Sequence, residues 1–415
     1  FFSAGNSLYS LGYIALRSFK SLSNMLSVEE ALKIVEEQSP EPVTARMELS
    51  RSAGMILTED IRSPIDMPPF RQSAMDGYAL NLNGSPSYEV IGEVKAGDEF
   101  HPTLKPGQCV RIFTGAAVPD SANTVVMQEQ VERLKDKIQL TKMPSPDQNI
   151  RPKGEQVKLG DIALPRGTRL SPAAVGFLAS LGIPMIQVIK QPTIALVITG
   201  NELVDQGTPL KHGQIYESNG VMLSSALTEG GFPCPSILRT KDDLENTRDI
   251  LNEAISSFDL VLVSGGISVG DYDFVGTALK DLGVETLFYK VNQKPGKPLF
   301  FGKKGSKRVF GLPGNPASAL TCLYVYVFPL LSATCGGYPR PLARTKAKIS
   351  QDLQIKGDRA QFLKAKLKDD QVDILKDQSS AMLNTFSHAN ALVYVSGTNQ
   401  AIRSGEEVDV IQLPG

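Results

Sequence analysis

The sequence contains few of the residues from which protein zinc sites are built. It has no tryptophan, three histidines and four cysteines, and no two cysteines stand in a C-x-x-C pair. A zinc site needs several such ligands at close spacing, so the sequence offers no zinc set. We expect a cytoplasmic protein whose four thiols are reduced and mostly buried, namely Cys109, Cys234, Cys322 and Cys335.

An excess of charge of one sign is also lacking. The 43 lysines and arginines almost balance the 44 aspartates and glutamates, which leaves a formal net charge of −1 over 415 residues. This balance gives no electrostatic reason to expect a nucleic acid or an anionic membrane as partner. The length and the hydrophobic fraction of 41% are typical of a soluble globular protein of about two to four domains. Any anion that the protein binds must be held by a local cluster of cations.

One long stretch carries no charge, from Ala317 to Cys335. Its length would suit a membrane span. Serine and threonine residues dilute it, Pro329 interrupts it and no second such stretch exists, so we predict a buried core helix.

The first 24 residues are serine-rich and contain no acidic side chain. Either a targeting peptide or sequence upstream of a start at Met25 accounts for them, and they take no part in the fold prediction.

Hydrophobic periodicity divides the rest of the chain into segments of different type. A capping box at Ser27 and Glu30 predicts a helix at that point. Short β-branched stretches between glycines and prolines predict a small β domain over 87–145. From 190 to 333, apolar strands alternate with amphipathic helices, which is typical of a parallel, doubly wound α/β sheet. After Pro339 the pattern again indicates β strands, as in a small barrel or sandwich.

Three glycine-bearing turns follow strands of the α/β region. They lie where the ligands of such sheets bind, outside the carboxyl ends of the strands. Their backbone N–H groups and the positive end of the next helix suit a phosphate. One such turn alone is more simply explained by the need for a tight turn, but three in one sheet favour a phosphorylated ligand. The turns are Thr199-Gly200-Asn201-Glu202, Ser264-Gly265-Gly266-Ile267-Ser268-Val269-Gly270 and Leu312-Pro313-Gly314-Asn315-Pro316.

Charged residues accompany these turns. Glu202 follows the first strand, Asp242 begins a helix, and Asp271 and Asp273 follow the second turn. Taken alone, Asp242 is best explained as a helix cap, yet carboxylates beside phosphate turns could together hold Mg²⁺. The segment K-V-N-Q-K-P-G-K-P predicts a rigid basic loop that binds an anion through Lys290, Lys294 and Lys297.

Two further turns lie outside the α/β region. Asp76 stands in an Asp-Gly turn after a proline-rich loop, and Thr114 ends a β strand before Gly115. On the residues alone, both are ordinary turns without an indicated function.

In combination and in this order, the motifs resemble those of the molybdopterin molybdenumtransferase (MoeA) family, to which the C-terminal domain of gephyrin is also similar. The resemblance covers the chain from about Leu26 to the C-terminus. The motifs that carry it are P-P-F-R-Q-S-A-M-D-G-Y-A (68–79), R-I-F-T-G-A-A-V-P (111–119), V-V-M-Q-E-Q (125–130), N-I-R-P-K-G-E (149–155), T-G-N-E-L (199–203), S-G-G-I-S-V-G-D-Y-D (264–273), K-P-G-K-P (294–298) and L-P-G-N-P (312–316).

The resemblance implies an elongated homodimer in which each chain has several subdomains. The active site would lie between the α/β domain of one subunit and the β insert of the other. The implied segments are an N-terminal extension (1–24), a linking domain in two parts (25–70 and 149–189), an inserted β domain (71–148), a molybdopterin-binding α/β domain (190–335) and a C-terminal β barrel (339–415).

The reaction implied is insertion of molybdate into adenylylated molybdopterin with Mg²⁺, giving molybdenum cofactor and AMP. A molybdopterin adenylyltransferase is a candidate partner. The implied catalytic residues are Asp76, Thr114, Glu202, Asp242, Asp273, Lys290 and Lys294, of which Glu202, Asp242 and Asp273 would hold the metal. The implied substrate-binding residues are Gly200, Ser264, Gly265, Gly266, Ser268, Lys297, Pro313, Gly314, Asn315, Arg359 and Ser380.

Two alternatives remain open at this point. A non-catalytic, gephyrin-like scaffold would bind molybdopterin or a peptide, but it would not need to retain Asp76, Glu202 and Asp273. An enzyme for another nucleotide or pterin would share the α/β domain but not the last β domain. The chain also departs from the family pattern at Gln156, where an acidic residue is common; Glu155 precedes it. An amide cannot replace a carboxylate on a metal, so either Glu155 compensates or the position is not essential.

Overall fold

A computed structural model of the chain describes residues 25–267, 274–339, 342–397 and 399–414. The chain forms two compact units. The inserted unit is Thr44–Val188, and the discontinuous unit is formed by the chain before it together with the chain from Ile189 onward.

The first element is helix α1 (Val28–Glu37), which begins where the capping box predicts it. The Ser27 hydroxyl accepts a hydrogen bond from the Glu30 N–H at 3.1 Å, and the Glu30 carboxylate accepts one from the Ser27 N–H at 2.9 Å. These two bonds satisfy N–H groups that a helix start leaves without partners. The buried face of α1 joins a core of the discontinuous unit.

The inserted unit contains a six-stranded mixed sheet with both faces covered. Its strand order is β7-β4-β6-β5-β9-β8, and three further pairs, β1–β12, β2–β11 and β3–β10, lie outside it. Tyr78 and Leu80 pack on one face and Ala79 on the other, as the two-residue period of a strand requires. Five of its six strands, all but β4, lie within 87–145, where short β strands were predicted. The elements are β1 (Thr44–Glu48), β2 (Ile61–Arg62), β3 (Gln72–Ser73), β4 (Gly77–Leu80), β5 (Ser87–Val94), β6 (Gln108–Ile112), β7 (Thr124–Met127), β8 (Val131–Leu134), β9 (Lys137–Leu140), β10 (Ile150–Arg151), β11 (Ile162–Leu164), helix α2 (Pro172–Ser180) and β12 (Met185–Ile189).

The discontinuous unit contains a six-stranded α/β sheet of order β16-β13-β17-β21-β20-β18. Alternate residues of its central strand β13 enter two cores, so helices cover both faces. The elements are β13 (Ile194–Thr199), β14 (Leu203–Val204), β15 (Ile215–Tyr216), α3 (Asn219–Glu229), β16 (Ser236–Thr240), α4 (Leu244–Ser257), β17 (Leu260–Ser264), α5 (Phe274–Asp281), β18 (Glu285–Lys290), β19 (Gln293–Lys294), β20 (Pro298–Lys304), β21 (Lys307–Leu312), α6 (Pro316–Cys322) and α7 (Phe328–Thr334).

One edge of this sheet differs from the prediction. Strands β16, β13, β17 and β21 are parallel, but β20 and β18 run antiparallel. The prediction of a wholly parallel sheet was wrong here because strand β20 was not foreseen. A tight turn at Gly305, whose φ is +58°, joins β20 to β21, and so short a connection can join only antiparallel neighbours.

The uncharged stretch forms one apolar helix, Pro316–Thr334, long enough by length and composition to cross a membrane. However, 89% of its most apolar 18-residue window is buried inside the protein, which confirms the predicted core helix. A π-helical segment, Leu323–Val327, separates α6 from α7. Pro329 does not end the helix; it lies directly after the π-helical segment, at the start of α7. The four cysteines are unpaired and, apart from exposed Cys234, buried.

The last part of the chain closes into a small barrel. Strands β24, β25, β22, β28 and β26 follow one another around it, and pairing of β26 with β24 closes the ring. Strand β19 of the α/β region pairs with β24, so Lys294 lies opposite Gln361. The elements are β22 (Arg344–Ile349), β23 (Leu353–Ile355), β24 (Ala360–Lys368), β25 (Gln371–Ile374), α8 (Leu383–Phe386), β26 (Ala391–Val395), β27 (Gln400–Ile402) and β28 (Glu407–Gln412).

Candidate functional site

Asp242 is tied to the turn that follows β13. Its carboxylate accepts hydrogen bonds from the Thr199 hydroxyl and, at 3.2 Å, from the Asn201 N–H. Its own N–H donates to the Asn201 side-chain oxygen at 3.2 Å. Helix α4 is capped instead by Asp243, which accepts from the Asn246 N–H at 2.8 Å. Asp242 is therefore not the cap that its position suggested, and its carboxylate stays at the carboxyl end of the sheet.

The glycines of the three turns allow their backbones to approach one another. A Cβ atom on Gly265 would lie 2.4 Å from the Thr199 carbonyl oxygen, and the φ of Gly265 is +94°. A Cβ atom on Gly200 would lie 2.8 Å from Leu203, and one on Gly314 would lie 3.8 Å from the Gly265 Cα. The first two positions therefore require glycine, and the three turns converge on one place. Gly266, which also has a positive φ of +64°, likewise packs against Thr199.

Asn219, the first residue of α3, joins the second turn to the third. Its side-chain nitrogen donates to the Ser264 hydroxyl at 2.9 Å and to the Gly314 carbonyl oxygen at 2.8 Å. Its side-chain oxygen is buried and has no hydrogen-bond partner in the part of the chain that the structure describes. Asn219 was not among the residues predicted from the sequence, although a polar residue at a helix start beside these turns is a usable signal.

A cavity of about 550 Å³ opens at the carboxyl ends of β13, β17 and β21, and we call it the turn cavity. Six of the predicted site residues line it, namely Glu202, Ser264, Gly265, Pro313, Gly314 and Asn315. Gly200 lines a neighbouring cavity of about 320 Å³. The Glu202 side chain is exposed and makes no hydrogen bond or ion pair with the described residues. The turns thus enclose a space in which Glu202 is free to bind a ligand.

The predicted basic loop lies beside the turn cavity, since Pro298 at its end is part of the cavity wall. Lys294 and Lys297 are exposed and Lys290 is half-buried. None of these three lysines forms an ion pair with another described residue. Three lysines without an ion-pair partner among the described residues, on a loop that adjoins the cavity wall, favour an anionic ligand.

A buried side chain fixes the backbone of this loop. The Gln293 amide nitrogen donates to the Pro295 carbonyl oxygen at 3.0 Å and to that of Gly296 at 3.2 Å. The Gln293 amide oxygen accepts a hydrogen bond from the Tyr326 hydroxyl, on the π-helical segment. A Cβ atom on Gly296 would lie 2.6 Å from the Cys322 sulfur, and burial raises the pKa of the Cys322 thiol to about 12. The core helix therefore holds the basic loop in place.

The barrel brings two more predicted residues to this region. The Ala360 N–H donates to the Asn292 carbonyl oxygen at 3.0 Å, which places neighbouring Arg359 next to the basic loop. The Ser380 hydroxyl accepts a hydrogen bond from the Asn315 amide nitrogen at 3.0 Å. Buried Lys364 holds the Ser380 loop by donating to three of its carbonyl oxygens, those of Asp377, Ser379 and Met382. Burial lowers the pKa of Lys364.

Asp76 and Thr114 meet within the inserted unit. One Asp76 carboxylate oxygen accepts hydrogen bonds from the Thr114 N–H at 2.8 Å and from its hydroxyl at 2.7 Å. The backbone bond and then the hydroxyl bond lower the pKa of Asp76 below its ordinary value. A Cβ atom on Gly77 would lie 1.9 Å from the Val126 carbonyl oxygen, so glycine is required after Asp76. The two turns that looked ordinary in sequence form one hydrogen-bonded pair.

Two predicted residues, Asp273 and Ser268, lie outside the described residues. Among the residues that are described, no three or more histidine, cysteine, aspartate or glutamate side chains form a cluster that could hold a metal. Glu202 and Asp242 are thus the predicted metal ligands whose surroundings are known. Glu155 and Gln156 are both exposed.

Comparison with known protein families gives matches to three parts of the chain. Residues 26–182 match the MoeA N-terminal region (domains I and II), residues 195–333 a probable molybdopterin-binding domain, and residues 346–413 the MoeA C-terminal region (domain IV). A molybdopterin molybdenumtransferase of Staphylococcus aureus (strain Mu50) is 33% identical over 401 residues, which cover 94% of this chain and 96% of that protein. One of Staphylococcus epidermidis (strain ATCC 35984) is 32% identical over 401 residues, covering 93% and 95%.

Solved structures give the same result. Two crystal structures of molybdopterin biosynthesis MoeA proteins from Pyrococcus horikoshii match this fold with TM-scores of 0.75 and 0.69. Their sequences are 32% and 28% identical to this chain, and each match covers 94% of this chain and all of the other. The likeness therefore extends over nearly the whole chain.

Proposed function

Because the chain belongs to the molybdopterin molybdenumtransferase family, an enzyme family of molybdenum cofactor biosynthesis, we propose that it inserts molybdate into adenylylated molybdopterin and releases AMP. The observation that carries this proposal is the meeting of three glycine turns around one cavity, whose wall includes Pro298 at the end of the lysine-bearing loop. Backbone N–H groups suit the phosphates of such a substrate. The lysines suit its remaining negative charge or the molybdate dianion.

The turns, the lysines and the barrel residues would each have a separate role. The turns bind and orient the substrate in the turn cavity, while Lys290, Lys294 and Lys297 stabilise negative charge that grows on the leaving phosphate. Arg359 and Ser380 extend the anion pocket from the barrel side. Water attacks the phosphoanhydride bond, which gives AMP and the phosphate monoester of the pterin. The two dithiolene sulfurs bind molybdenum, and their two protons leave with one molybdate oxygen as water.

The donors present fit a Mg²⁺ ion, which in phosphate enzymes binds one or two carboxylates and the substrate phosphate. Glu202 has a free carboxylate at the cavity, and Asp242 is held at the same sheet edge by Thr199 and Asn201. These two, with Asp273, would hold the ion. When bound, it would neutralise charge on the phosphoanhydride.

A second copy of the chain would complete the site. In this proposal, Asp76 and Thr114 of one subunit reach the turn cavity of the other within a homodimer. Their mutual hydrogen bonds keep the Asp76 carboxylate ionised and fixed in direction. We also propose that the enzyme works in the cytoplasm, where its unpaired cysteines stay reduced, and that an adenylyltransferase supplies its substrate.

AMP release tests the proposal. Purified protein is incubated with adenylylated molybdopterin, and AMP is measured by chromatography with and without molybdate and Mg²⁺. The proposal predicts AMP only when both are present. No AMP from folded, dimeric protein under these conditions would contradict it and favour a scaffold.

A further inference from the structure

Glu217 is a buried carboxylate that the proposed mechanism does not use. It lies just before α3, is 3% exposed, and lines both the turn cavity and the neighbouring cavity of about 320 Å³. One carboxylate oxygen, Oε1, accepts a hydrogen bond from the Gly220 N–H at 2.8 Å. No described residue donates to the other oxygen, Oε2. Among the described residues, Oε2 is therefore an acceptor on the cavity wall that is available to a donor of a bound ligand.

The glycine at position 220 keeps that oxygen accessible. A Cβ atom on Gly220 would lie 2.8 Å from the Glu217 Oε2, closer than real Cβ contacts. Glycine is a poor helix former, and Gly220 lies in the first turn of α3 without a left-handed backbone that would require it. Space beside the Glu217 carboxylate is the reason that the structure offers for glycine here.

Asn219 and an apolar wall stand beside this carboxylate. The side-chain oxygen of Asn219 is a buried acceptor without a described partner. Ile215 and Tyr216 line the same cavity and are 55% and 42% exposed, although both are large and apolar. The Tyr216 hydroxyl donates to the Thr208 carbonyl oxygen at 2.9 Å, which holds the ring in place. Acceptors beside a flat apolar wall suit a planar heterocycle with N–H donors on its edge.

We infer that Glu217, with Asn219 beside it, recognises the amino-pyrimidinone edge of the pterin and so decides which end of the substrate enters the turn cavity. This inference rests on the proposed function. A pterin presents two adjacent donors, its 2-amino group and the N3–H, and a carboxylate accepts such a pair with both oxygens. Adenine, at the other end of the substrate, presents a donor beside an acceptor. Its acceptor would face the Glu217 carboxylate, which disfavours the reversed orientation.

The test uses two probes that differ at one position. Fluorescence titration measures binding of 6-hydroxymethylpterin and of 6-hydroxymethyllumazine, in which oxygen replaces the 2-amino group, without molybdate or Mg²⁺. The wild-type protein should bind the pterin about 10-fold or more tightly than the lumazine, because a site built for a donor rejects an analogue that lacks it. Glu217→Gln keeps an acceptor for the Gly220 N–H but replaces the second oxygen with a donor. It should reduce the preference to within about twofold.

Two further variants complete the design. Gly220→Ala favours the helix yet places a methyl group against the Glu217 Oε2, so it should weaken pterin binding without lowering the melting temperature. Glu229→Gln removes a charge from an exposed position at the other end of α3 and should change neither affinity. Wild-type protein without a pterin preference, or with no pterin binding at millimolar concentration, would overturn the inference. So would a Glu217→Gln protein that keeps the preference.

The outcome is separable from that of the proposed function. Pterin preference without AMP release would support the role of Glu217 and contradict the proposed reaction. AMP release by an enzyme whose Glu217→Gln variant keeps the pterin preference would do the opposite.

Discussion

Asp242 accepts a hydrogen bond from the Thr199 hydroxyl, although 43 residues separate them in the sequence. This bond joins the end of β16 to the end of β13, so that a carboxylate and the first glycine turn share one corner of the sheet. The adjacent Asp243 has a different role, since it caps α4. The pair therefore offers a direct comparison between a proposed site carboxylate and a structural one.

Asp242→Asn should lower kcat/KM for AMP release about 100-fold, because the amide carries no charge for a metal or phosphate site. Asp243→Asn should leave it within about twofold, because asparagine is as good an N-cap as aspartate. Steady-state kinetics on both variants provides the check. Equal losses in the two would show that Asp242 acts only through the fold.

Gly265→Ala should destabilise the protein by about 2 kcal/mol or more, because a Cβ atom there would lie 2.4 Å from the Thr199 carbonyl oxygen at a positive φ. Gly314→Ala should cost about 1 kcal/mol or less, because its Cβ would make only an ordinary contact at 3.8 Å. Urea unfolding measures both. A Gly265→Ala protein as stable as wild type would contradict the close approach of the turns.

Tyr326→Phe should destabilise the protein by about 1–3 kcal/mol, since it leaves the buried Gln293 amide oxygen without its donor. It should also weaken molybdate binding, because Gln293 holds the basic loop. Tyr324→Phe, two residues earlier, is the matched control; the Tyr324 hydroxyl makes no hydrogen bond among the described residues, so molybdate affinity should not change. Isothermal titration calorimetry measures the molybdate affinity of both variants. Equal affinities in the two would contradict a link from the core helix to the basic loop.

Thr114→Val should raise the pKa of Asp76 toward its ordinary range, since the hydroxyl bond is lost and only the backbone bond remains. In the wild type the folded pKa lies below the unfolded value of about 3.9, so the stabilisation is complete above that pH and is lost as the pH falls through the folded pKa. The difference in unfolding free energy between the two proteins should therefore shrink as the pH is lowered from 6 to about 3. Thr141→Val, whose hydroxyl bonds only a backbone carbonyl, should show a difference that is constant over this range.

Mixing two inactive variants tests the proposed homodimer. Asp76→Asn and Asp242→Asn should each be nearly inactive alone, but a dimer with one copy of each would contain one intact site. Random mixing should restore about a quarter of wild-type activity, since half of the dimers are mixed and one of their two sites is intact. Sites built within a single chain would show no recovery.

Much of the fold follows from local sequence patterns. The capping box at Ser27 and the apolar strand at Ile194–Thr199 appear where they were predicted, because each depends on residues close in sequence. Strand β20 and its antiparallel pairing were not predicted, although the two-residue Gly305-Ser306 connection between apolar runs is a local hairpin signal.

The site was harder to predict than the fold. The glycine turns were visible because tight turns restrict residue type, but the role of Asp242 depended on a hydroxyl 43 residues away. Glu217 and Asn219 were missed because a polar residue at a helix start usually only caps it. Asp76 and Thr114 could be joined in sequence only through the family resemblance, since nothing local to either turn indicates the other.

The proposed coupling of molybdenum insertion to AMP release can be measured in one experiment. A single-turnover experiment with enzyme in excess measures bound molybdenum by mass spectrometry and AMP by chromatography in the same samples over time. If the two events are coupled, bound molybdenum and AMP should rise together, with about one molybdenum atom inserted per AMP released. AMP release at the same rate without molybdate, or molybdenum insertion into a pterin that keeps its adenylyl group, would contradict the coupling.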